Sequence, residues 1–301
     1  MKLFAVTSVI VYTVDGKHKV EKIISKYGAS VTEYLDLTIK DSHHYSFLMK
    51  IVYESQRIGK FIEDLSEVVP YINDESFGFL FSYEEEDYHH SPLFSIQSIG
   101  NNAQLYLKTK NVALKEFCSA CKRKCLVEDQ QIFIDVNKLV KNPLLFVNNY
   151  MVISERLAGQ LVELDLTGYK LIEVSHKGRS EAKTRGYQIM PTNVLPKQCI
   201  PGDFLLDPYI INQDQRCKIC KLGGHRFPPY YYNPKDLEDI GDFAFTYEYH
   251  NSDFVYRNIL VSKQVFDFFK KNDYFVNEVR NKYTWEEKDW VLDPVLFNSD
   301  C

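Results

Sequence analysis

The run Leu3-Phe-Ala-Val-Thr-Ser-Val-Ile-Val-Tyr-Thr-Val14 is dense in β-branched and aromatic residues, which suit a pleated strand. It ends at Asp15-Gly16, a strong two-residue hairpin signal, so the pattern predicts a strand that turns into a second strand over 18–24. Further strands are expected over 30–38 and 77–82. Between them Phe47, Ile51, Ile58, Phe61, Ile62 and Leu65 lie mostly three or four apart, the spacing of a helix over 45–68 that Pro70 stops. Strands over 94–99 and 104–107 flank the turn residues Gly100-Asn101-Asn102.

A second pattern starts at Tyr150. The segment Tyr150-Met-Val-Ile-Ser154 reads as a strand, and Ser154 as the N-cap of a helix with Leu157, Leu161 and Leu164 on one face. Gly168 marks a turn, and Lys170-Leu-Ile-Glu-Val174 a strand. Asn258-Ile-Leu-Val-Ser262 and the residues after it repeat the arrangement. Ser262 aligns with Ser154, Val265 with Leu157 and Phe269 with Leu161. The expected class is therefore α+β, with mixed sheets and two related strand-helix-strand units. The expected division is an N-terminal α+β unit over 1–112, a cysteine-bearing segment enclosing one repeat over 113–225, and the other repeat over 226–301.

The chain has 301 residues, 45% hydrophobic and 26% charged, which excludes a disordered or collagen-like polypeptide. No apolar stretch approaches the roughly 20 residues that cross a bilayer. One Lys precedes the N-terminal run, as in a secretory leader. No small-x-small cleavage site follows, so the strand reading is preferred and a cytoplasmic location is expected. In a reducing compartment cysteines are thiols or metal ligands rather than disulfides. The net charge of −5 argues against a general nucleic-acid binder. The 21 Tyr and 20 Phe suit wet interfaces as well as cores.

Four of the seven cysteines form two C-x-x-C pairs, Cys118/Cys121 and Cys217/Cys220. Each pair aims two sulfurs at one point, and two such knuckles complete a four-thiolate site for one structural Zn²⁺ in a zinc-ribbon-like clasp. A site closed by four cysteines leaves no open position for water and serves as scaffold. Cys125, and His225 five residues after Cys220, compete as replacement ligands, and a redox pair or fortuitous spacing are the other readings. Cys199 and Cys301 fall outside the pattern and read as thiols.

The sequence contains no G-x-x-x-x-G-K-[ST], G-x-G-x-x-G, G-x-S-x-G or H-E-x-x-H, so no catalytic residues are assigned. The doublets His43-His44 and His89-His90 read as solvated loops. Tyr83, Glu84, Glu85, Glu86, Asp87 and Tyr88 form an acidic, aromatic run that reads as a solvated loop or, more sharply, as a patch that docks on a basic partner. Lys122-Arg-Lys124 is basic but short, and is the basis of an alternative reading as a zinc-ribbon nucleic-acid-binding or regulatory protein. Pro228-Pro-Tyr-Tyr-Tyr-Asn-Pro234 reads equally as a packed crossover or a binding loop.

The order of these features over 113–285 resembles the double-CxxCG family of bacterial immunity proteins of the polymorphic-toxin type. It runs from a C-x-x-C pair through Val152-Ile-Ser-Glu-Arg-Leu157 and Leu166-Thr-Gly-Tyr-Lys-Leu-Ile-Glu-Val174 to a second pair, Gly241-Asp-Phe243 and Ile259-Leu-Val-Ser262. The resemblance implies a non-enzymatic protein that neutralises a cognate protein toxin by stoichiometric contact, without nucleic acid or membrane. The family places Gly directly after each second cysteine, where this chain has Lys122 and Lys221.

Overall fold

The computed structural model describes residues 1–39, 42–73, 76–98, 113–147, 149–211, 214, 216–223, 229–250, 254–275 and 290–298. The chain forms a mixed α+β protein of two compact units, one of residues 1–86 with the 203–213 segment, the other of most of the remainder.

In the first unit, β1 (Lys2–Val11), α1 (Val14–Tyr27), β2 (Ser30–Ile39), β3 (Ser42–Val52), α2 (Ser55–Val68) and β4 (Gly78–Ser82) follow one another. The sheet order is β2-β3-β1-β4 with every pairing antiparallel, the ferredoxin-like split βαβ arrangement. Ala5, Val9, Val11, Phe47, Met49 and Ile51 of the sheet and Val20, Ile58, Phe61 and Leu65 of the helices form its core. Tyr53 and Gly59 hold the 203–213 segment: the Tyr53 hydroxyl donates to Asp207 Oδ2 at 2.6 Å, and a Cβ on Gly59 would meet the Tyr209 hydroxyl at 2.9 Å.

Two expectations fail here. Asp15-Gly16 does not turn a hairpin. Thr13 accepts the Gly16 N–H at 3.0 Å as an N-cap, and Val20, Ile24 and Tyr27 then fall on one face of a helix that Gly28 ends at φ 58°. The segment 45–68 is strand first and helix second. Phe47 and Ile51 are four apart, a spacing that fits both periods, but Tyr45, Met49 and the buried Phe47 and Ile51 alternate along β3. His43 and His44 consequently lie on β3 rather than in a loop.

The second unit holds a four-stranded and a five-stranded sheet. The first runs Tyr169–Glu173, Gly186–Pro191, Tyr150–Ser154, Leu144–Val147. The other runs Asn193–Val194, Phe243–Phe245, Ile259–Ser262, Leu93–Ser98, Trp290–Pro294. The two strand-Ser-helix segments match in detail. Ser154 Oγ accepts the Leu157 N–H at 3.2 Å, and Ser262 Oγ accepts the Val265 N–H at 3.3 Å. Each Ser N–H donates back to the residue before an antiparallel neighbouring strand, Pro143 or Asp242, at 2.9 Å in both cases. Each helix has nine residues, and Asp165 and Asp273 follow them at φ 53° and 54°. Leu157, Ala158 and Leu161 share a core with Val265, Phe266 and Phe269, and Phe94 stacks on Phe266 with centroids 4.0 Å apart.

The strand expected over 94–99 is present as Leu93–Ser98. Its neighbours are Ile259–Ser262 and Trp290–Pro294, more than 160 residues downstream. The expected partner over 104–107 and the turn at Gly100-Asn101-Asn102 lie outside the described residues. The tyrosine-rich loop is a packed crossover. Tyr230, Tyr231 and Tyr232 are buried, and Tyr231–Tyr232 pairs in parallel with Leu296–Phe297. Asp242 ties the halves together, accepting from the Thr167 N–H at 2.8 Å and the Ser262 hydroxyl at 2.6 Å. Replacing Ser154 or Ser262 by Ala should cost about 1 kcal/mol each, measured by denaturant unfolding. The Ser262 change should cost the more of the two, because it also strips a bond from Asp242.

Candidate metal centre

The first knuckle stands on a built platform. Leu114–Glu116 and Lys124–Leu126 pair antiparallel, and Phe254–Val255 adds a third strand beside the latter. The chain between them is pinched by two donors to one acceptor: the N–H groups of Phe117 and Cys118 reach the Arg123 carbonyl at 2.9 and 3.3 Å. Phe117 packs against Tyr249 with ring centroids 4.6 Å apart. The second knuckle has no such platform. Its backbone bonds among the described residues are internal, Cys217 N–H to Leu222 O and Lys221 N–H to Cys217 O, both 2.9 Å. Ile219 within it is 72% exposed.

The two knuckles meet through their sulfurs. Cys118 Sγ lies 3.9 Å from Cys217 Sγ and Cys121 Sγ 3.7 Å from Cys220 Sγ, and all four lie within 4.8 Å of one another. A tetrahedron with metal–sulfur bonds of about 2.3 Å has sulfur–sulfur edges of about 3.8 Å. The four thiols therefore stand where one metal ion fits, although 95 residues separate the pairs in sequence.

Backbone amides prepare the sulfurs for charge. The Arg123 N–H on Cys121 draws that thiol down to about 6, and the Cys220 and Ile219 N–H groups lower Cys217. Burial, and then its sulfur neighbours, push Cys220 up to about 11 against a Leu222 N–H that favours the thiolate. Four clustered sulfurs cannot all ionise without a compensating cation. The Arg123 guanidinium supplies part of that charge through hydrogen bonds to Cys121 and Cys220.

The residue after each second cysteine is left-handed: Lys122 and Lys221 both have φ 59°. Glycine adopts this conformation freely, whereas an L side chain is strained there by roughly 1 kcal/mol. Lys122→Gly and Lys221→Gly should therefore each raise the stability of the metal-loaded protein by up to about 1 kcal/mol in thermal unfolding.

The other sequence candidates fall elsewhere. Cys125 lies on Lys124–Leu126, buried and outside the four-sulfur group, and burial raises its thiol. His225 lies outside the described residues. Cys199 is not the thiol expected from the sequence: it is disulfide-bonded. The parallel pairing of Tyr231–Tyr232 with Leu296–Phe297 carries Asn298 to Cys199, whose carbonyl accepts from Asn298 Nδ2 at 3.0 Å. No sequence spacing announces that approach, and Cys301 lies outside the described residues. Within Tyr83, Glu84, Glu85, Glu86, Asp87 and Tyr88, the three glutamates are exposed and Glu84 pairs with Lys2 at 3.3 Å. Residues 85–90 form one short helix, and the Tyr88 hydroxyl donates to Leu292 O at 3.1 Å.

Sequence reading missed a small cavity of about 20 Å³ in which Glu128, Asn149, Gln188 and Arg257 stand among apolar and aromatic side chains such as Leu126 and Phe245. That volume holds about one water. Asn149 reaches it from a left-handed residue, φ 69°, a conformation with no sequence signal beyond the tolerance of Asn for it.

No described helix is long and apolar enough to cross a membrane. No protein-family model matches the chain, and no curated protein matches it. Among solved structures it is similar to an unknown protein from Galdieria sulphuraria, at 10% identity over 62% of this chain and 78% of that one, with a TM-score of 0.19.

Proposed function

We propose that this chain is a zinc-clasped immunity protein that neutralises a cognate toxin by stoichiometric contact, without catalysis, in the cytoplasm of the producing cell. The observation that carries the reading is the convergence of both C-x-x-C pairs, each followed by a left-handed residue. That is the position the double-CxxCG motif fills with glycine, so the geometry of the motif is kept where its letters differ. The donor set is four thiols with amide hydrogen bonds, which suits a soft, tetrahedral, closed site, and Zn²⁺ is the ion that such sites take. Bound there, the ion supplies folding energy rather than chemistry. The exposed Glu84, Glu85 and Glu86 are the toxin-facing residues on this reading.

The deciding experiment is co-expression with a toxin encoded directly upstream, scored by cell survival and by co-purification at a one-to-one ratio. Survival without this protein, or failure of the two to co-purify, overturns the reading. Reversing the three glutamates to Lys should slow association with a basic toxin and flatten its salt dependence. Unchanged kinetics remove that helix from the contact. A cytoplasmic location also requires the Cys199 disulfide to be open in the cell. Cys199 is buried, so its state is read by quenching cells in acid and alkylating the denatured protein: labelling shows the open thiol, and failure to label places the protein in an oxidising compartment instead.

A further inference from the structure

We infer that the four-cysteine clasp assembles a phosphate-binding surface for the backbone of duplex nucleic acid, an activity beyond the immunity reading. Residues 114–125 carry Lys115, Lys122, Arg123 and Lys124 against the single acid Glu116. Residues 214–223 carry Arg216, Lys218 and Lys221 against the single acid Asp214. In sequence these are two short basic runs in a chain of net charge −5. The sulfur cluster makes them one patch, because Lys122 and Lys221 each adjoin a clustered cysteine and Lys218 adjoins a third.

Lys122, Lys124, Lys218 and Lys221 are all exposed, and among the described residues none is held in an ion pair. Two of them occupy equivalent left-handed positions that glycine would fill without strain. Strain kept at both places is explained if the side chain is needed for its charge. Phe117 is the one aromatic residue in the two segments, and its ring is occupied by Tyr249. Among the described residues, the two knuckle segments thus offer several cations and one aromatic ring that is already paired, which fits the phosphates outside a duplex better than unstacked single-strand bases.

The test is fluorescence anisotropy of metal-loaded, full-length protein with a labelled 20-base-pair DNA duplex. Four lysine–phosphate contacts give a slope of log K against log salt of about −3.6, so affinity should fall roughly 150-fold from 50 to 200 mM salt. Exchanging all four lysines for Gln should abolish binding while metal stoichiometry and thermal unfolding stay intact. The double change Lys122→Gly with Lys221→Gly should halve the slope while raising stability, separating charge from fold. Chelation should weaken binding, because it detaches the second knuckle and its lysines. No binding at 50 mM salt overturns the proposal. So does binding indifferent to the four lysines, or displacement by poly-glutamate as effective as by unlabelled duplex. None of these readouts involves a toxin, so this proposal and the immunity reading fail separately.

Discussion

Cys217→Ser is expected to abolish stoichiometric metal and to release the second knuckle while the rest of the fold stands. Structural zinc in small peptides is worth about 10–16 kcal/mol, so one ligand of four accounts for roughly 2.5–4 kcal/mol, or about 100- to 1000-fold in affinity. The structural consequence is uneven. The hairpin of Leu114–Glu116 and Lys124–Leu126 keeps its ladder and its Phe117–Tyr249 contact. Residues 216–223 keep only internal backbone bonds among those described, with no buried apolar anchor. Trypsin should therefore cut after Lys218 and Lys221 of the variant, or of chelated wild type, far faster than after Lys122 and Lys124. Wild-type protein in reducing, chelator-free buffer should carry one ion per chain. Metal near zero in that protein, or equal cleavage of both knuckles, sinks the clasp.

The second large effect is expected at Gly168. Its φ is +81°, and an added Cβ would sit 2.7 Å from the Phe243 carbonyl and 2.9 Å from Asn193 Nδ2. Gly241 faces it, with a Cβ there falling 2.9 Å from the Gly168 Cα, so two chain segments pass almost backbone to backbone. Gly168→Ala combines left-handed strain of about 1–2 kcal/mol with overpacking of about 1–3 kcal/mol. For a unit of this size, each kcal/mol lowers Tm by about 2–4 °C, so the variant should melt roughly 5–15 °C lower. Gly159→Ala is the matched control. It lies exposed in the Glu155–Glu163 helix with nothing within 4 Å of its Cβ, and should gain up to about 1 kcal/mol of helix propensity. Calorimetry showing both variants shifted the same way would falsify this account of the two glycines.

Features written by neighbouring residues were legible in the sequence. Ser154 and Ser262 cap helices because a side-chain oxygen three residues from an amide needs no distant partner. The α+β class followed from the two periodicities, and the cysteine group from two identical spacings. The failures needed distant or competing information. Asp15-Gly16 serves hairpin and helix start equally, and the buried face offered to Val20 and Tyr27 by the sheet decides between them. The disulfide of Cys199 has no signature in the spacing of the cysteines. The left-handed lysines show only as a departure from a motif, and their strain becomes visible with the backbone angles.

The strand Leu93–Ser98 sits between two strands that begin at Ile259 and Trp290. At a synthesis rate of about 5–20 residues per second, it leaves the ribosome roughly 8–30 s before the first of them exists. Throughout that interval Leu93, Phe94 and Ile96, all buried in the finished sheet, have no native partner on either side. A strand in that position is a ready template for other chains. The nascent protein is therefore a natural client for a holding chaperone, and its yield should depend on one more than its final stability does.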